Sequence, residues 1–143
     1  MNAPRARALL CALSLAGCVA NGPLAPPALD LAVFSSRAQP VLAARCATPA
    51  CHGSDRRRLR VYAPGFFRSD PARVHRDEPL SSDELLANER SASAFAADVL
   101  RADESLLVTR PLGYGGHLGG RVLSESDADT AALLAWLRTG GLP

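Results

Sequence analysis

Apolar residues are spaced differently in successive parts of the chain, and the changes of spacing mark its organisation. From Ala8 to Ala16 they are nearly continuous. Between residues 21 and 30 prolines at 23, 26 and 27 break any periodicity. From Leu31 the pattern turns helical, with Leu31, Phe34, Ala38, Val41 and Leu42 at steps of three and four. Pro40 falls inside this run and is expected to kink it, or to start a second short helix ending just before Cys46. Thr48-Pro49 favours a turn. Residues 58–62, RLRVY, alternate polar and apolar, which predicts a short strand. Pro64, Pro71 and Pro79 predict a loop after it. Residues 80–100 carry the clearest helix: Ser81 and Glu84 form a capping-box pair, and Leu85, Ala92, Phe95 and Val99 make an apolar stripe. A helical turn over Glu104–Arg110 is stopped by Pro111. A last helix starts near Ser126, places Asp127 and Asp129 at its positive end, runs through Leu133, Leu134, Trp136 and Leu137, and stops at Gly140-Gly141. There is no internal repeat. The expected fold class is mostly all-α.

Length and composition narrow this further. The 143 residues suffice for one domain, and 48% of them are apolar, enough for a core. Aromatics are only 5%, and alanine and leucine supply most of the apolar content, which again favours helices. All 16 basic residues are arginine. Lacking lysine, the chain has no lysine-bearing phosphate loop, no Schiff-base lysine and no lysine general base.

The N-terminal run combines a basic start at Arg5 and Arg7, a short apolar core and small residues before Cys18, the three-part layout of an export signal too short to span a bilayer. Its end, Leu15-Ala16-Gly17-Cys18, resembles the lipobox of bacterial lipoproteins. The resemblance implies a signal peptide over residues 1–17 and diacylation of Cys18, with Cys11 leaving with the signal. Residues 18–30 then form a proline-rich tether and residues 31–143 the folded domain. It also implies export and a lipid anchor at the cell envelope; in a Gram-negative cell Val19 after the cysteine fits sorting to the outer membrane, because the retention signal typically has aspartate at that position. Removing Arg5 and Arg7 leaves 14 arginines against 14 acids, a balance unsuited to nucleic acid.

The candidate chemistry lies in RCATPACHG, residues 45–53. Cys46 and Cys51 are the only cysteines of the expected domain, and His52 and Gly53 follow at once. An oxidising compartment allows a Cys46–Cys51 disulfide. Zinc would need two further ligands from a chain whose histidines are His52, His75 and His117. The third reading is covalent haem: two thiols form thioethers to the porphyrin, and the histidine directly after the second cysteine becomes the proximal iron ligand. The usual spacing is C-x-x-C-H; here it is C-x4-C-H, with Thr48-Pro49 available to bulge away from a ring.

The order of stretches QPVLAARC…CHG, ESLLVTRPLG, HLGG and LLAWLRTGG resembles a small bacterial c-type cytochrome domain over roughly residues 31–140. The resemblance implies a cytochrome c-like fold with first and last helices crossing beside the haem. It implies haem c on Cys46 and Cys51 with His52 as proximal ligand. The single methionine is Met1, so methionine ligation of the iron is excluded. His117 is then the expected distal ligand, because the glycines around it let the backbone approach a flat ring; His75 sits among charged neighbours. Bis-histidine ligation points to single-electron transfer with unidentified redox proteins rather than to an enzyme. An open sixth site would point to a haem-based sensor. A structural or interaction lipoprotein with the Cys46–Cys51 disulfide is the reading from another class.

Three further features carry weaker implications. Arginines of the run Asp55–Arg60 are placed to meet haem propionates or to form a solvated face. Tyr114 stands near His117 either to contact the ring or as a loop residue. Trp136, between Leu133 and Leu137, belongs to the core. No serine–histidine–acid arrangement carries a nucleophile motif.

Overall fold

The computed structural model describes residues 28–96 and 99–142. The expected signal peptide, Cys18, and the tether up to residue 27 lie outside the described residues. Within them the chain is helical with no strand, and no helix is long and apolar enough to cross a membrane.

The first helical run is continuous but changes character midway. α1 (Leu31–Val33) is capped by Asp30, whose Oδ1 accepts from the Val33 N–H at 2.9 Å. Residues Phe34–Ala38 then widen into a π-turn, and α2 (Gln39–Arg45) follows with Pro40 in its first turn. The π-turn explains why Pro40 does not break the run. Gln39 N–H reaches back five residues to the Phe34 carbonyl, so the register slips and α2 restarts with proline where no donor is needed.

α3 (Ser82–Ser93) has the expected capping box in full: Ser81 Oγ accepts from Glu84 N–H at 3.2 Å, and the Glu84 carboxylate accepts from Ser81 N–H at 2.9 Å. It ends earlier than the sequence pattern suggests. Its buried residues are Glu84, Asn88, Ala92 and Ser93, three of them polar, while Leu85 and Phe95 pack at the edge of the core. α4 (Leu106–Thr109) is the short turn before Pro111, and α5 (Ala128–Leu137) closes the fold with Asp127 at its N-cap.

The expected strand at 58–62 is not formed. Leu59 and Val61 are buried, as the alternation implies, but the backbone donors of this stretch go elsewhere. Val61 N–H bonds the His52 carbonyl at 2.9 Å, Arg60 N–H bonds Ser91 Oγ at 2.8 Å, and Tyr62 N–H bonds Asn88 Oδ1 at 2.7 Å. With α3 side chains meeting the donors, no partner strand is required.

First and last helical segments meet in the core. Phe34 and Trp136 are fully buried with ring centroids 4.9 Å apart and planes tilted by 58°. Burying side chains of this size contributes roughly 1.5–3 kcal/mol each. At the surface the same ends are tied by Asp30 N–H to Thr139 Oγ1 at 2.9 Å. Leu42, Val108, Leu133 and Leu137 complete this core, which leaves one side of α2 and α4 facing a cleft.

Candidate functional site

The loop after α2 is wound by its own backbone. Thr48 carbonyl accepts from Cys51 N–H at 2.9 Å and from Gly53 N–H at 3.0 Å, and Cys46 carbonyl accepts from His52 N–H at 3.0 Å. Thr48-Pro49-Ala50 therefore loops outward while Cys46, Cys51 and His52 converge on the cleft. Gly53 is needed for this winding, since any Cβ there would run into the Ala47 carbonyl oxygen.

The cleft has a volume of about 300 Å³. Cys46, Cys51, His52 and His117 all border it, with walls from Leu42, Leu59, Phe95, Leu107, Val122 and Leu133. Arg45, Arg57, Arg58 and Arg110 stand around it. Neither cysteine is in a disulfide. Cys46 is buried, and loss of solvation, reinforced by the neighbouring Cys51, pushes its thiol up to about 11. It is therefore a neutral thiol at physiological pH.

The two histidines are prepared in the same way. His52 Nδ1 lies 3.0 Å from the Leu59 carbonyl, and His117 Nδ1 lies 2.8 Å from the Gly120 carbonyl. A carbonyl only accepts, so each Nδ1 carries a proton and donates it, which leaves Nε2 as the ring nitrogen free to ligate a metal. Metal-ligating histidines are oriented by this kind of backbone bond. Burial lowers the His52 pKa, with the Leu59 hydrogen bond opposing and His117 and Arg57 adding to the shift. His52 is thus neutral, as a ligand must be.

Their rings lie 6.2 Å apart, centroid to centroid, with planes within 9° of parallel. Two imidazole nitrogens sharing one metal ion, with bonds of about 2.0 Å and each ring centre roughly 1.1 Å further back, place the centroids about 6 Å apart. The donor set, the spacing and the apolar walls fit a haem held by Cys46, Cys51, His52 and His117.

Other expected participants are placed as follows. His75 is exposed in a loop, at a left-handed φ of 67°, away from the cleft. Tyr114 turns outward, and its hydroxyl donates to the Glu125 carboxylate. Of the run Asp55–Arg60, Arg57 and Arg58 reach the cleft. Trp136 is in the core beside Phe34. Arg110 was not legible as a site residue, because an isolated arginine after a short helix carries no local signal. Phe95 was read as part of a helix stripe, yet it walls the cleft from just beyond the end of α3.

No family model matches this chain, and neither does any curated protein or solved structure.

Proposed function

We propose that this protein is a c-type haem protein carrying single electrons at the bacterial cell envelope, anchored there by a lipid on Cys18. The observation that carries the reading is the His52–His117 pair: parallel to within 9°, 6.2 Å apart, each Nδ1 tied to a backbone carbonyl, beside two thiols in one apolar cleft. When bound, the haem supplies a one-electron iron couple.

The chain's residues do the rest. Cys46 and Cys51 hold the group covalently as thioethers, and the outward loop of Thr48-Pro49-Ala50 absorbs the two residues by which C-x4-C-H exceeds C-x-x-C-H. His52 and His117 would both ligate the iron through Nε2, an arrangement that favours electron transfer over substrate chemistry. Leu42, Leu107 and Leu133 line the cleft and would keep water from a group held there. Arg57 and Arg58 would offer guanidinium donors to the carboxylates of the haem. Redox proteins of the envelope are the partners, and the balanced charge does not favour nucleic acid.

Expression with a cytochrome c maturation system tests this. Haem that stays with the polypeptide after denaturation, giving the spectrum of a thioether-linked haem, is the expected result. Its absence, with Cys46 and Cys51 recovered as a disulfide, supports the structural lipoprotein instead.

A further inference from the structure

Residues 113–120 form a loop with unusual backbone freedom. Gly113, Gly115, Gly116 and Gly120 all have positive φ, between 67° and 93°. Leu118, at its tip, is completely exposed and contributes no burial. The internal bonds of the tip, Gly120 N–H to His117 carbonyl at 2.8 Å and His117 Nδ1–H to Gly120 carbonyl at 2.8 Å, move with the loop and do not fasten it. Among the described residues, the one hydrogen bond from Gly115–Gly120 to the body of the protein is Arg110 Nη1–H to the Gly116 carbonyl, at 2.7 Å.

Arg110 is suited to hold something in place. It follows α4, whose Leu107 and Val108 are buried in the core, and its own N–H bonds the Leu106 carbonyl at 3.2 Å. Its guanidinium also lies against the backbone of Gly115, where a Cβ would come within 3.0 Å of Nη1. The same side chain borders the cleft.

We propose that Arg110 is a positioning residue that docks His117 at the cleft through Gly116, so that this single contact decides whether the His117 side is closed or open to a small external ligand. The inference rests on the haem reading and deepens it. Tyr114 N–H to the Thr109 carbonyl and the Tyr114 hydroxyl to Glu125 fix the start of the loop, and beyond them the charged donor of Arg110 makes the one hydrogen bond that holds Gly115–Gly120, so releasing it shifts this tip toward undocked conformers. By linkage, an external ligand competing with His117 then binds more tightly by the same factor.

The test uses imidazole as the competing ligand on the ferric, haem-loaded protein. Arg110→Met removes the donors and keeps the aliphatic bulk; the residue is half-buried at a helix end, where the fold tolerates the change. Apparent imidazole affinity is expected to rise by roughly tenfold or more, the size of one lost hydrogen bond to a charged group. In a His117→Ala background the same substitution should change nothing, as a double-mutant cycle requires of a residue acting only through His117. An affinity unchanged by Arg110→Met, or raised equally in both backgrounds, overturns the proposal.

Amide ¹⁵N relaxation of the haem-free chain provides a second arm. Order in Gly115–Gly120 should fall selectively in Arg110→Met, and equal order in both proteins overturns the latch. If the wild-type chain takes up no covalent haem, the electron-carrier reading fails, and the relaxation measurement still decides whether Arg110 holds the loop.

Discussion

Gly53 and Ala47 approach so closely that a Cβ on Gly53 would collide with the Ala47 carbonyl oxygen. Both partners are backbone, so no side-chain rotation relieves the clash, and the winding of the Cys46–Gly53 loop depends on it. Gly53→Ala is expected to destabilise the protein by about 2–3 kcal/mol and to lower covalent haem loading, checked by thermal melts and by haem content of denatured protein.

Glu84 and Arg68 form a buried ion pair at 2.8 Å, both side chains fully shielded from solvent. Burial alone would raise the Glu84 pKa, but the Arg68 guanidinium and the donors of Ser81 and Ser69 outweigh it and hold the carboxyl well below the usual carboxylate range. A carboxyl depressed on folding stabilises fully above its unfolded value near 4.5, and this contribution is lost as pH falls toward the folded value. Glu84→Gln keeps the helix cap yet leaves Arg68 buried without its counter-charge. The cost at pH 7 should be about 3–5 kcal/mol. The difference from wild type should shrink below pH 4.5 in melts taken from pH 7 down to pH 2.

Asn88 joins three elements. Its Nδ2 donates to Gln39 Oε1 at 2.9 Å and to the Tyr62 carbonyl at 2.7 Å, and its Oδ1 accepts from Tyr62 N–H at 2.7 Å. Asn88→Leu keeps the branched shape and strands the Tyr62 N–H in the interior. A loss of about 2–3 kcal/mol in urea unfolding is expected.

Cys46 and Cys51 should differ in reactivity in the haem-free, reduced protein. Cys46 is 7% exposed and its thiol is pushed up to about 11, whereas Cys51 is half-buried. Iodoacetamide at pH 8 should label Cys51 first, with Cys46 labelling accelerating only as the pH approaches its raised value. Peptide mass mapping against time checks the order.

His117→Ala in the haem-loaded protein should convert a six-coordinate low-spin spectrum to high spin, and His75→Ala should leave it unchanged. His75 is exposed and does not border the cleft. A low-spin spectrum surviving in His117→Ala and lost in His75→Ala would reverse the assignment.

The parts of this protein that depend on neighbouring residues were open to reading from the sequence. The capping box of Ser81 and Glu84 is formed as the three-residue spacing implies. The last helix ends before Gly141, which takes the left-handed φ of 78° that glycine permits. Failures came where distant groups met. RLRVY has a strand's alternation, but Asn88 and Ser91 of α3 took the hydrogen bonds a partner strand would have supplied. The polar face of α3 could not be foreseen as buried, because Glu84 and Asn88 find their partners on other segments, at Arg68, Tyr62 and Gln39.

For the candidate site the division is the same. The sequence by itself determined the adjacency of Cys51 and His52, the absence of a methionine ligand and the glycines that free the loop around His117. Those are properties of neighbours and of composition. Only the tertiary structure decided that His117, and not His75, comes to lie 6.2 Å from His52, and that Arg110 ties its loop. Pairings between remote residues are set by how the core of α2, α4 and α5 packs, and no local pattern of side chains encodes that geometry.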